Sequence, residues 1–142
     1  DLRLDFLTQR EDVLDALAWA QRIGGLPARV ARSTANLQAI ESWVEGSSWA
    51  GFLAKDPKSR SPPSICLEIT DPAVASRPAA DQEAFVKAMV KRLDEEKVAF
   101  DIAGYRDAPP GLRIWGGATV EPTDTERRLP GRDGAFATTK AA

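Results

Sequence analysis

Hydrophobic positions change their period along this chain, and each change marks an element. From Glu11 onward, Val13, Leu14, Leu17, Ala20 and Ile23 recur at three- and four-residue spacing, the stripe of an amphipathic helix. Gly24-Gly25 follows directly and suits a helix end that needs a left-handed residue. The ten residues ahead, Asp1 to Arg10, are charged and weakly patterned. A second helix is expected from Leu26 or Pro27 to Glu45, turning Val30, Leu37, Ile40 and Val44 inward, with Gly46-Ser47-Ser48 ending it. A third, from about Asp81 to Glu96, has the clearest stripe: Phe85, Val86, Met89, Val90 and Leu93. Thr123-Asp-Thr-Glu126 reads as a capping box with Glu126 at N3. It opens a last helix to about Phe136, which Pro130, Gly131 and Gly134 weaken.

Between the helices the period drops to two. Ile65, Leu67 and Ile69 alternate with Ser64, Cys66, Glu68 and Thr70, so one strand face is buried, and Asp71-Pro72 stops the strand. Val98 to Ala103 and Leu112 to Trp115 alternate likewise, separated by the Asp107-Ala-Pro-Pro-Gly111 turn. Trp49 to Ala54 is a shorter strand candidate, and the prolines at 57, 62 and 63 make Lys55 to Pro63 a loop. The order α-α-β-β-α-β-β-α predicts an α+β fold: a small mixed or antiparallel sheet of three to four strands, with helices on one face. The 142 residues fit a single domain, 1–142.

Composition narrows the chemistry. The formal net charge is -2, so the basic surplus of a duplex-nucleic-acid reader is missing. Cys66 is the one cysteine, no signal-peptide pattern opens the chain, and no apolar run is long enough to span a bilayer. A reducing, cytoplasmic compartment is expected. Histidine is absent, which removes Ser-His and Cys-His nucleophile pairs and the usual zinc sites; no metal site is expected. What remains is arginines, lysines, carboxylates and backbone dipoles.

If Leu112 and Ile114 face the helices, Arg113 and Trp115 face the other way, beside Cys66, Glu68 and Asp101. Arg113 then reads in two ways. It is a solvated or ion-paired strand residue, with Asp101 or Glu68 as partner, or its planar fork binds a carboxylate bidentately. The Pro-Pro-Gly turn before it and Gly116-Gly117 after it frame a very short strand, which favours a positioned side chain.

The stretch Ala103-Gly-Tyr-Arg-Asp-Ala-Pro-Pro-Gly-Leu-Arg-Ile-Trp-Gly-Gly-Ala-Thr-Val-Glu121 resembles the C-terminal small domain of phosphoserine aminotransferase. Leu14-Asp-Ala-Leu-Ala-Trp-Ala-Gln-Arg-Ile-Gly-Gly-Leu26, Ala31-Arg-Ser-Thr-Ala-Asn36 and the Ser64 to Asp71 strand resemble that family in place and type, so the likeness runs from Glu11 to about Leu129. The resemblance implies a fold-type-I, class-V enzyme dependent on pyridoxal 5'-phosphate. Such an enzyme moves an amino group between glutamate and 3-phosphohydroxypyruvate in serine biosynthesis, and a related phosphorylated keto acid serves in pyridoxine biosynthesis. It implies that Arg113 grips the substrate α-carboxylate and that Arg106 contacts the substrate phosphate. Arg106 also reads simply as a turn arginine, solvated or paired with Asp107.

The same resemblance places the Schiff-base lysine and the cofactor contacts in a large N-terminal domain absent from this chain, and implies a homodimer. This chain by itself is therefore expected to be inactive and to carry no catalytic residue. Its lysines, Lys55, Lys58, Lys87, Lys91, Lys97 and Lys140, fall in loops, on helices or in the tail. The family has Asn-Thr-Pro where this chain reads Arg3-Leu4-Asp5, and tryptophans where it has Gly131 and Gly134. Each glycine costs about 1 kcal/mol of helix propensity.

Two other readings stay open: the small domain of another class-V enzyme, and a stand-alone regulatory domain that binds a small anion. An exposed apolar patch around Trp115, waiting for a large domain, would favour the enzyme readings. Trp19, Trp43 and Trp49 are expected chiefly as core anchors.

Overall fold

The computed structural model describes residues 2–105 and 107–141, and of residues 2–9 only the helical backbone. Two long helices open the chain, α1 (Leu2–Arg22) and α2 (Gly25–Gly46). Gly24 and Gly25 join them at φ of 109° and 71°, a region open to glycine and closed to most other residues. The helical pattern predicted from Glu11 thus starts nine residues earlier, at Leu2.

Strand β1 (Ala50–Phe52) pairs with β2 (Ser64–Ile69), and β2 pairs with β3 (Gly111–Trp115). Both pairings are antiparallel, so the fold is α+β with an open three-stranded antiparallel sheet. The short helix α3 (Pro72–Ala75) follows β2, with Asp71 accepting a hydrogen bond from the Ala73 amide at 3.0 Å as its cap. Helices α4 (Ala79–Glu95) and α5 (Pro122–Ala141) complete the order.

The alternation of β2 and β3 is realised as read. Ile65, Leu67, Ile69, Leu112 and Ile114 are buried, together with Phe85, Val86, Met89 and Leu93 of α4 and Ile40 of α2. Helix α5 packs against both α2 and α4, while α4 also meets β3 and α2 meets β1. One sheet face is thus covered and apolar.

Four expectations are corrected. Val98 to Ala103 is no strand: it makes one isolated bridge, Ala103 to Leu112, and one hydrogen bond from the Arg113 amide to the Ile102 carbonyl at 2.8 Å. Lys97 and Asp101 adopt positive φ of 56° and 50°, which breaks the pleat. Ala99 and Ile102 are buried instead of a Val98, Phe100 and Ile102 face, and Phe100 is exposed. Val30, expected inward, is exposed, as are Val13, Leu14, Leu17 and Leu26. The capping box does not form at Thr123, because α5 begins one residue earlier with Pro122, whose fixed φ suits a first helical position.

Finally, α5 does not stop near Phe136 but runs through Pro130, Gly131 and Gly134 to Ala141. Burial offsets the poor propensity. Leu129, Ala135 and Phe136 enter the core, and Phe136 stacks on Trp49 with ring centroids 4.5 Å apart. Trp43 meets Trp49 edge to face at 5.4 Å. Both indole N–H groups donate to the Asp133 carboxylate, at 3.1 Å from Trp43 and 2.7 Å from Trp49. Two of the three tryptophans expected as anchors therefore serve as such. Trp19 is half-buried beneath Arg32.

Candidate functional site

The uncovered sheet face carries the polar residues that alternation assigned to it. Register sets Arg113 opposite Cys66, Trp115 opposite Ser64 and Gly111 opposite Glu68. Gly111 is required where it stands, since a Cβ there would lie 2.1 Å from the Leu67 carbonyl oxygen. That close approach lets a five-residue strand pair fully and start Arg113 at a defined height.

Arg113 is held from two sides. Its Nη2 donates to Asp101 Oδ2 at 2.8 Å, a salt bridge, and its guanidinium carbon lies 5.0 Å from the centre of the Tyr105 ring. The Tyr105 hydroxyl sits 3.0 Å from Ser64 Oγ, tying the ring to β2. Tyr105 first, and then Asp101, raise the guanidinium above the ordinary arginine pKa against the opposing effect of desolvation. Arg113 is therefore a fixed cation, and its side chain keeps 24% exposure. Its Nε is buried with no hydrogen-bond partner among the described residues.

Of the two expected partners, Asp101 is the one that meets Arg113. Glu68 is ion-paired with Lys55 instead. Trp115, beyond Arg113, is exposed to 58%. Its ring lies over Gly117, where a Cβ would come within 2.5 Å of the indole. Arg106 lies outside the described residues, as do the side chains of Arg3, Leu4 and Asp5.

The turn after β3 is fastened from below by Asn36, fully buried on α2. Its amide nitrogen donates to the carbonyls of Val120 at 3.0 Å and Gly116 at 3.2 Å, and its Oδ1 accepts from Thr125 Oγ1 at 2.9 Å. Arg32 adds a hydrogen bond to the Ala118 carbonyl at 2.7 Å and an ion pair to Glu121. Sequence reading did not single out this support. Its signal was an amide residue in the middle of a helix flanked by Ala35 and Leu37, where asparagine is a poor helix former unless it has a buried partner.

The lysines do not fit a Schiff-base role. Lys55 pairs with Glu68, Lys87 with Glu83, Lys91 with Glu95 and Lys140 with Asp71, while Lys58 and Lys97 are exposed. No group of three or more metal-ligating side chains occurs among the described residues. No helix among them is long and apolar enough to cross a membrane.

Fold and site together define an α+β domain whose open sheet face presents a buttressed arginine. No family model matches the chain. It is 41% identical over 116 residues to the phosphoserine aminotransferases of Methanosarcina mazei and Methanosarcina barkeri, covering 82% of this chain in each case. The chain is thus a homologue of part of phosphoserine aminotransferase, and it spans 29% of the length of these curated relatives.

Proposed function

We propose that this chain is the C-terminal, substrate-clamping part of a phosphoserine aminotransferase, acting with a large domain outside it, in a homodimer. In this reading glutamate and 3-phosphohydroxypyruvate exchange an amino group, and Arg113 binds the α-carboxylate that both carry. The observation that carries the reading is the sequence match to two enzymes of that name; the ion pair that holds Arg113 on the open sheet face supports the role given to it.

The chemistry asks for a carboxylate clamp beside the reacting carbon, because orientation of the bound substrate sets the rate. A planar guanidinium meets a carboxylate with two parallel N–H···O bonds. Asp101 and Tyr105 occupy part of Arg113 and pre-set its plane, so little rotamer freedom is left to lose on binding. Pyridoxal phosphate belongs, in this reading, to the rest of the enzyme, since no lysine here has a desolvated setting suited to it. Arg106 is the proposed phosphate contact.

The exposed apolar residues also favour an enzyme part over a stand-alone domain. Trp115, Tyr105 and Phe100 are exposed around the site, and Val13, Leu14 and Leu17 are exposed along α1. A surface of this kind suits a docked partner domain.

The test uses the complete reading frame, purified with and without Arg113→Ala. Its visible absorption is recorded before and after phosphoserine. The expected result is an aldehyde-form cofactor band that converts to the amine form. Conversion weakens in Arg113→Ala, with kcat/KM reduced on the order of 100-fold. A full-length product with no bound cofactor rejects the reading.

A further inference from the structure

The turn that follows β3 takes its place from α2 more than from its own backbone. From Gly116 to Val120 it makes one internal backbone hydrogen bond, from the Val120 amide to the Gly117 carbonyl at 3.0 Å, and its Gly116 amide donates to the Pro63 carbonyl at 3.0 Å. Three of its carbonyls converge on the Asn36 amide nitrogen: Val120 at 3.0 Å, Gly116 at 3.2 Å and Gly117 at 3.4 Å. The Ala118 carbonyl accepts from Arg32 Nε, whose guanidinium also pairs with Glu121 and lies 5.9 Å from the centre of the Trp19 ring. Gly116 is packed tightly, since a Cβ there would lie 2.6 Å from the Pro62 carbonyl oxygen and 3.4 Å from Asn36 Cβ. Two side chains one helical turn apart on α2 therefore hold this turn.

We propose that Asn36 and Arg32 are positioning residues for Arg113, acting through this turn, an inference that rests on the carboxylate-binding reading of Arg113. Gly116 is three residues beyond Arg113, about 10 Å along an extended strand, so a turn that shifts carries the strand end with it. Trp115 moves too, because its ring lies over Gly117, a residue that Asn36 holds. Two sets of contacts divide the task. Asp101 is 89% exposed and an exposed ion pair fixes little by itself, so Asp101 and Tyr105 orient the fork. The Asn36 network is buried, where a lost partner costs far more, so it sets the height at which β3 ends. An apolar residue would suit the middle of a helix better than asparagine does; what the amide adds is the fixed turn.

The complete reading frame is purified with its cofactor as wild type, Arg32→Met, Arg32→Lys, Asn36→Ala and Arg113→Ala, and mixed rapidly with saturating phosphoserine. Decay of the aldehyde-form band gives a rate constant and an amplitude. A misplaced clamp slows every molecule, whereas partial unfolding only removes molecules from the amplitude. The rate constant should fall about tenfold in Arg32→Met at full amplitude, and further in Asn36→Ala. Arg32→Lys, which keeps a cation opposite Glu121, should restore part of it.

A second readout needs no cofactor. NMR of the 142-residue chain follows the Arg113 Nε–H and Trp115 indole N–H signals. Both should shift in Arg32→Met, while the indoles of Trp43 and Trp49, bonded to Asp133, stay in place. Unmoved Arg113 and Trp115 signals overturn the proposal, as does a wild-type rate constant in both Arg32→Met and Asn36→Ala, or a loss confined to the amplitude. Arg113→Ala reacting like wild type rejects the clamp itself and leaves the NMR shifts to judge the turn. A slow Arg113→Ala beside an unaffected Arg32→Met and Asn36→Ala rejects the positioning role alone.

Discussion

Arg113 and Asp101 meet at 2.8 Å because Asp101 leaves the extended region, with φ of 50°, and so brings its carboxylate onto the open face beside β3. Aspartate is among the few non-glycine residues that tolerate this conformation. The same bend ends the pleat that the Val98–Ala103 alternation predicts. One backbone angle both removes a strand and builds a salt bridge.

Asp101→Asn keeps the tolerance for positive φ and removes the charge. The Asp101 side chain is 89% exposed, so stability should change by less than about 1 kcal/mol in urea denaturation. The Arg113 side chain should nonetheless loosen, seen as faster exchange of its Nε–H proton.

Asn36→Ala should be far more damaging. It strands the Thr125 hydroxyl and two turn carbonyls in a buried setting, at a cost of roughly 2–4 kcal/mol. Urea denaturation measures the loss, and quenching of Trp115 fluorescence by iodide should change as the turn behind it relaxes.

The two glycines of α5 should respond in opposite ways. A Cβ at Gly134 meets nothing within 4 Å, so Gly134→Ala should stabilise by about 1 kcal/mol. At Gly131 a Cβ would lie 2.6 Å from Val98 Cγ1, so the same helix gain is offset and Gly131→Ala should be neutral or destabilising. Thermal melts of the two variants side by side decide it.

The hydrogen bond from Lys140 holds the Asp71 carboxyl below its ordinary pKa, against the effect of burial, with the Ala73 and Val74 amides assisting. A depressed carboxylate contributes its full stability above the unfolded value, about 3.9, and loses it as pH falls through the folded value. Lys140→Met should therefore leave the protein less stable at neutral pH and flatten the acid limb of its stability curve. Urea midpoints between pH 6 and pH 2 test this.

The covered sheet face and the Arg113 face were legible because strand alternation is local: each residue's side follows from its neighbour's. The α4 stripe was legible for the same reason at period 3.6. Gly24-Gly25 announced its turn because only glycine accepts those angles readily. Sequence similarity across 82% of the chain is also a property of the sequence itself.

Other features depended on contacts between distant segments. Pro130, Gly131 and Gly134 argue against a long last helix, yet Phe136 stacking on Trp49 and the two indoles on Asp133 hold it together. Periodicity drew Val13, Leu14 and Val30 as apolar positions but not the surface they would meet, and here they remain exposed. Arg132 gives no sign in sequence of being buried. Its burial follows from how α5 packs beside the Ala99–Ile102 segment. The sequence by itself determined the periods, the breaks between them and the kinship. Tertiary structure decided which faces were covered and which charges were left without partners, because burial is a property of the assembled chain and not of any one segment.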